Sequence, residues 1–364
     1  MTMPEPHQAL KTRFCELVGV RYPIIQTGMG WVAGSSLVIA TAKAGGLGIL
    51  ASATMSLDEL KQQIEEVRSA TDAPFGVNLR TDVADIDERV ALMVDAKVRV
   101  ASFAQAPRAD LVTQFKEAGL FVMPTVGARR HAEKVAALGV DAVIAQGAEG
   151  GGHTGQVPTT LLTSEVVDAV GENVCVLSAG GWSSGRGLVA ALALGADGIA
   201  MGTRFLLSSD SQVPDEIKKQ YLATSVTGTV VSTRIDGAPQ RVVRTDLVDR
   251  LEKSSWISNL PRSLKSAHQF RSESGASLVS LLKEGKAMKE GNELTWSQVV
   301  MAANAPVMTK AGLVDGRTDV GVLPTGQVTG VINEVLSVEK IITSVINEAN
   351  ATLDRLSERQ RVLD

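Results

Sequence analysis

The chain has 364 residues, 44% of them hydrophobic and 21% charged, so it can bury a full core and is neither disordered nor fibrous. Forty acidic against 36 basic residues leave a net charge of −4, and aromatics make up only 4%, so neither nucleic acid nor an anionic membrane is an expected partner. Cys15 and Cys175 stand far apart with no ligand-like spacing, which argues against a disulfide framework or a structural metal and for a reducing, cytoplasmic setting.

No basic stretch followed by an apolar run opens the chain at Met1 to Leu10, and no apolar stretch reaches membrane length, so neither a signal peptide nor a span is expected. From residue 20 to about 205, short apolar runs alternate with helix-period segments. The predicted strands are Pro23–Gln26, Leu47–Ala51, Phe75–Leu79, Arg99–Phe103, Phe121–Thr125, Ala142–Gln146, Val174–Ala179 and Gly198–Met201. Between them lie amphipathic segments such as Leu57–Ser69, Ala109–Ala118, Ala128–Leu138 and Gly185–Leu194, and Ser56 is a natural N-cap for the first of these. Near-continuous apolar strands suit a parallel sheet buried on both faces. An eightfold β/α alternation reads as a (β/α)8 TIM barrel, with an open doubly wound sheet as the competitor. After Phe205 the chain turns polar, with helical pieces at Asp215–Ala223 and Thr245–Glu252 and a final helix at Val338–Leu363. We expect an α/β barrel over 14–209, a smaller helical domain over 210–319 covering the barrel mouth, and a segment 320–364 that returns to the barrel.

A barrel places function in the loops after the strand C-termini, and the glycines cluster there. Strand six runs into Gly147–Gly155, where five glycines in nine residues let the backbone approach a flat ligand. This loop carries His153, one of four histidines, whose side chain titrates nearest neutrality and suits proton transfer. Gly180 and Gly181 follow strand seven, and Gly202 and Thr203 follow strand eight, the usual phosphate position of a barrel. Asn78 and Gln146 end strands three and six, where paired amides suit the polar edge of a heteroaromatic ring. His7, His131 and His268 read as surface residues, whereas Trp31 and Trp182 sit beside the glycine loops as candidate pocket walls. The stretch Glu252–Glu290 holds seven basic against four acidic residues, either a solvated face or a handle for an anion.

As an ordered set these residues resemble the nitronate monooxygenase family, the FMN-dependent barrels also known as 2-nitropropane dioxygenases. The likeness rests on Gln26-Thr27-Gly28-Met29, Ala44-Gly45-Gly46-Leu47-Gly48, Phe75-Gly76-Val77-Asn78, Glu149–Gly155, Ala179-Gly180-Gly181 and Met201-Gly202-Thr203, and it runs from about Phe14 to Gln327. It implies FMN held by Gly28, Met29, Asn78, Gln146 and Gly151, with its phosphate on Gly180, Gly181, Gly202 and Thr203, and His153 as catalytic base near the flavin N5.

Within the family, Thr27–Gly34, Glu149–Gly155 and Glu293-Leu294-Thr295-Trp296-Ser297-Gln298 are similar to a branch of FMN-dependent dehydrogenases of steroid C/D-ring degradation. That branch implies an oxidoreductase acting on a hydroxy-methyl-oxo-indane carboxyl-CoA thioester, by α-proton removal and β-hydride transfer to the flavin, with NAD or another acceptor reoxidising it. Where nitronate monooxygenases commonly carry Gly-Gly-His-Arg-Gly, this chain has Thr154 after the histidine, which removes a cation beside the base. Trp31, Arg262, Lys265 and Arg271 are the substrate-side candidates, the three cations for CoA phosphates, with Arg129 and Arg130 in reserve. The alternatives are oxidation of alkyl nitronates with O2, an FMN-dependent enoyl-thioester reductase as in fatty-acid synthesis, a non-redox isomerase or lyase, and a silent flavin-binding protein. Self-association into a homo-oligomer is compatible with all of them.

Overall fold

A computed structural model describes residues 3–81, 83–253 and 304–361. Eight parallel strands close into a barrel: β1 (Ile24–Gln26), β2 (Leu47–Ala51), β3 (Phe75–Leu79), β4 (Val100–Phe103), β5 (Phe121–Val126), β6 (Ala142–Gln146), β8 (Cys175–Ala179) and β9 (Gly198–Met201), where β9 returns to pair with β1. A two-residue strand, β7 (Gly152–His153), leaves the barrel between β6 and β8. The predicted strands each match one of the eight to within a residue. The closed topology excludes the open doubly wound sheet.

The strand sequences alternate between two apolar environments. Ile25, Ile49, Val100, Met123, Ile144 and Leu177 fill the barrel interior, while Val77, Ala101, Val122, Val143 and Val176 face the helix layer. Both faces are dry, which is why these strands read as unbroken apolar runs. Each fully buried Val, Leu or Ile contributes roughly 1.5–3 kcal/mol relative to exposure. Helix α1 (Arg13–Val18) plugs the N-terminal end of the barrel, with Phe14 edge-on to Phe121 at 6.2 Å.

The helix layer comprises α2 (Ser35–Lys43), α3 (Leu57–Ala70), α4 (Ile86–Asp95), α5 (Ala109–Glu117), α6 (Arg129–Ala136), α7 (Thr159–Val170) and α8 (Gly185–Ala193). Helix α3 opens on a full capping box: Ser56 Oγ accepts from the Glu59 amide and the Glu59 carboxylate accepts from the Ser56 amide. Beyond the barrel come α9 (Thr203–Leu206), α10 (Asp215–Leu222), α11 (Asp246–Lys253), α12 (Asn304–Leu313) and α13 (Val338–Arg361). Helix α13 packs on α8 and α2, and Glu348 accepts the Gly185 amide at 2.7 Å and pairs with Arg186 at 2.8 Å.

One element in this region differs from the sequence reading, which has only helices there. β10 (Thr229–Ser232) and β11 (Gln240–Val243) form an antiparallel hairpin, and β11 pairs in turn with β7. The four-residue strands are too short to show an alternation of their own, and pairing with the glycine loop stabilises them. Among the described residues no helix is long and apolar enough to cross a membrane, and no group of three His, Cys, Asp or Glu residues is placed to hold a metal.

Candidate active site

Strand register brings the predicted loops to one height. Asn78 stands opposite Ser102, Gln146 opposite Ala179, and Gln26 opposite Met201, so the chain leaves the barrel at the same rim from each of these strands. Alternation along β3, β4 and β6 points Asn78, Ser102 and Gln146 inward, above the apolar Gly76, Val100 and Ile144. They are therefore a polar layer closing the barrel's hydrocarbon core. Asn78 Nδ2 donates to Ser102 Oγ at 3.2 Å, and Gln146 Nε2 donates to the carbonyl of His153 at 2.7 Å.

The remaining predicted residues surround this layer. Gly28 lies against Asn78, so close that a methyl group there would fall 2.6 Å from Asn78 Cβ. Met29 Sδ approaches Gly202. Gly151 is packed on the backbone of Thr325 and Gly326, and Gly326 N donates to Thr203 Oγ1 at 2.9 Å. Gly180, at φ +107°, abuts the Thr159 hydroxyl and the Gly150 amide, in a conformation that a side chain would strain. Gly181 follows, also at positive φ, beside Glu149. The Glu149 carboxylate is turned away onto Thr159, accepting its amide at 2.8 Å and its hydroxyl at 2.5 Å. That arrangement leaves a rim of backbone with few side chains over an amide-bearing floor.

The glycine loop itself is held on every side. Ala148 N donates to Val157 O, Thr154 Oγ1 to Gly147 O at 3.1 Å, Thr154 N to Pro239 O, and Gln327 N to Glu149 O. The buried Arg241 guanidinium donates twice to Ala148 O, at 2.9 and 3.2 Å, and to Thr229 Oγ1 at 3.0 Å. Burial lowers the pKa of this guanidinium, an effect the nearby Glu149 offsets in part.

His153 stands on this loop with its side chain 65% exposed, over a carboxylate only 7% exposed. Its Nε2 lies 2.7 Å from Asp236 Oδ2. The same oxygen accepts from Gln240 Nε2 at 2.5 Å, and Asp236 Oδ1 accepts from the Ala238 amide at 3.1 Å. Burial alone would raise the Asp236 pKa, but the hydrogen bonds to His153, Ala238 and Gln240 and the charge of His153 hold it below the ordinary carboxylate value. Sequence reasoning missed both Asp236 and Gln240, which lie 83 and 87 positions from the histidine. The available signal was the Asp236-Gly237 pair between two β-branched runs, a hairpin signature.

Other candidates fall elsewhere. Trp31, at φ +66°, follows β1 at the mouth, half-buried, its amide donating to Thr54 Oγ1 at 3.2 Å. Trp182 is no wall of the mouth: its indole N–H donates to Ser178 at 2.9 Å and its ring packs on the helix-layer core. His131 is exposed, and His7 is half-buried, accepting the Ala9 amide. Arg129 is paired with Glu133 at 2.9 Å at the start of α6, and Arg130 beside it is exposed. Arg262, Lys265, Arg271 and His268 lie outside the described residues.

A family model described as nitronate monooxygenase matches residues 11–89 and 81–348. Two curated relatives bear the name (3aS,4S,5R,7aS)-5-hydroxy-7a-methyl-1-oxo-octahydro-1H-indene-4-carboxyl-CoA dehydrogenase. The protein from Mycobacterium tuberculosis is 55% identical over 349 residues, covering 96% of this chain and 98% of its own. Its counterpart from Rhodococcus jostii is 50% identical over 347 residues, covering 95% and 98%. Among solved structures, FabK from Thermotoga maritima superposes with a TM-score of 0.77 at 32% identity, covering 96% of this chain and 99% of FabK.

Proposed function

The chain belongs to the nitronate monooxygenase family, and from that premise we propose that it dehydrogenates a hydroxy-methyl-oxo-indane carboxyl-CoA thioester, the substrate in its relatives' name, and that the bond oxidised is the α,β bond. The observation that carries this reading is His153: a solvent-facing imidazole at the barrel mouth, with its main chain tied to Gln146 and its ring nitrogen held on a buried carboxylate. A thioester carbonyl acidifies the adjacent C–H, and a positioned imidazole is the group suited to remove that proton near neutrality.

The family implies FMN, and the residues present fit it. Gly28, Gly151 and Gly180 keep side chains off the rim, the space beside each being taken by Asn78, Thr325–Gly326 and Thr159. Asn78 and Gln146 would offer amides to the polar edge of a flat group, and Gly180, Gly181, Gly202 and Thr203 would offer a phosphate their amides. Thr203 Oγ1 accepts from Gly326, so its own proton is available to donate to a phosphate oxygen. Bound FMN supplies the two-electron acceptor for the hydrogen leaving the β carbon. His153 takes the α-proton, and the electron pair of that C–H bond becomes the new C=C bond. NAD or another acceptor would then take up the electrons. The hairpin of β10 and β11 pairs with the histidine strand and α13 packs back on α8 and α2, which supports reading the described parts of 210–319 and 320–361 as mouth cover and returning segment. Trp31 is assigned to the substrate ring, and Arg262, Lys265 and Arg271, outside the described residues, are assigned to the CoA phosphates on sequence alone.

Thr154 separates this reading from the nitronate alternative. Its hydroxyl donates to Gly147 O within the loop and its amide to Pro239 O of the hairpin, and the position brings no cation to an anionic nitronate. The test is anaerobic titration of the FMN-loaded protein with the indane carboxyl-CoA thioester, following the visible flavin absorbance. Bleaching, then recovery with formation of NADH when NAD is added, is expected. No bleaching with the thioester, but oxygen uptake with propionate-3-nitronate, would establish the monooxygenase instead. Bleaching by NADH reversed by an enoyl thioester alone would establish a reductase.

A further inference from the structure

The hairpin of β10 and β11 stands outside the barrel, yet it makes two pairings with the histidine's two-residue strand and a third attachment to the residue after it. Gln240 pairs with His153 and Arg241 with Gly152 in the antiparallel ladder, and Pro239 O accepts the Thr154 amide. Its loop then turns Asp236 back beneath the imidazole.

We infer that Asp236 is the positioning residue that makes His153 a base through Nδ1. A carboxylate only accepts hydrogen bonds, so the imidazole nitrogen 2.7 Å from Asp236 Oδ2 carries the proton. In the neutral ring the other nitrogen, Nδ1, then holds the lone pair, and it lies on the side of a largely exposed ring away from the buried carboxylate. Asp236 cannot swing away, because Oδ1 is fixed by the Ala238 amide and Oδ2 by Gln240. Gln240 lies 3.2 Å from His153 Nε2 because both donors converge on one oxygen. Gln240 therefore sets the carboxylate with its side chain and the histidine strand with its backbone, and the base is assembled only when the hairpin is docked. As the ring gains a proton from substrate, the carboxylate stabilises the imidazolium that forms.

This inference rests on His153 being the base of the proposed reaction, but its first test needs no substrate. In 15N-histidine spectra of the full-length, FMN-loaded protein, His153→Ala assigns one resonance pair among the four histidines. Protonated Nε2 and bare Nδ1 are expected in the native protein, with a mixture of tautomers in Asp236→Asn. A native ring protonated on Nδ1, or a spectrum that Asp236→Asn leaves unchanged, overturns the inference. In turnover, Asp236→Asn is expected to lower kcat about 100-fold with KM for the thioester nearly unchanged. Asp236→Glu should recover part of the loss, and Asp236→Asn should cost nothing further in a His153→Ala background. Additive losses in that double variant would make Asp236 merely structural. Full turnover in His153→Ala would instead sink the proposed function, while the tautomer result would stand.

Discussion

Gly180→Ala tests whether the glycine rim is a cofactor cradle. At φ +107° an alanine is strained by about 1–3 kcal/mol, and its methyl would sit 2.6 Å from Thr159 Oγ1 and 3.2 Å from Gly150 N. Thr159 cannot yield easily, because Glu149 binds both its amide and its hydroxyl. Overpacking of this kind adds about 1 kcal/mol at the low end of its range, so the FMN-competent backbone should lie about 2–4 kcal/mol higher than in the native chain. The apo protein can relax, and that cost then falls on binding, weakening FMN by about 30- to 700-fold. Gly119→Ala is the control: its φ is +77°, comparable strain, but a methyl there meets nothing within 4 Å and the residue lies far from the mouth. Quenching of flavin fluorescence on titrating FMN into each deflavinated variant measures both. An FMN affinity for Gly180→Ala within about threefold of native, or an equal loss in Gly119→Ala, would refute the assignment of this turn to the phosphate.

Three further outcomes follow from other parts of the molecule. Arg241→Met should leave Ala148 O without its two guanidinium bonds, costing about 1–3 kcal/mol and loosening the histidine loop; a lower Tm and faster amide exchange at residues 147–155 would show it. Ser56→Ala should cost about 1 kcal/mol through the broken capping box while FMN content and turnover stay unchanged, measured by chemical denaturation and absorbance. Burial, with the charge of Asp197, pushes the Cys175 thiol up to about 11, so iodoacetamide at about pH 8 should label it only after unfolding, read by intact mass. Because the folded value is raised, this thiol's contribution to stability is present below the unfolded thiol's range. It is lost as pH climbs toward the folded value.

The barrel was legible because its strands are buried twice. Ala142–Gln146 and Cys175–Ala179 could carry unbroken apolar runs only if both faces were covered, and the Ser56 and Glu59 pair marked where a helix had to start. The places of the rim glycines and amides were legible for a related reason, since they stand directly after such runs; their packing on Asn78, Thr159 and Thr325 was not, because those partners lie far off in sequence. Asp236 and Gln240 were not, because their role comes from pairing between elements far apart in sequence. Nothing local in Thr229–Ser232 or Gln240–Val243 announces a partner in Gly152–His153, and two-residue strands have no period to read. The resemblance to a family named the histidine but was silent on what supports it.

That division of labour separates the parts assigned to the cofactor from the parts that orient the base. The barrel rim contributes backbone and amides, which the proposed function assigns to a flat, phosphate-bearing group. The orientation of His153 comes from the hairpin, and the clamp on Ala148 from Arg241, both outside the eight strands. A shift of the hairpin by one residue would replace Gln240 by Arg241 opposite His153 and carry Asp236 out of reach, because the side chains of a strand alternate faces. Insertions in Thr233–Pro239 that keep the β10 and β11 register should therefore abolish proton removal while leaving FMN bound. Insertions that shift the register should also loosen the glycine loop. Comparing flavin content with turnover across such a series separates the two functions of the hairpin, and loss of both in every member would show that base and cradle are one unit.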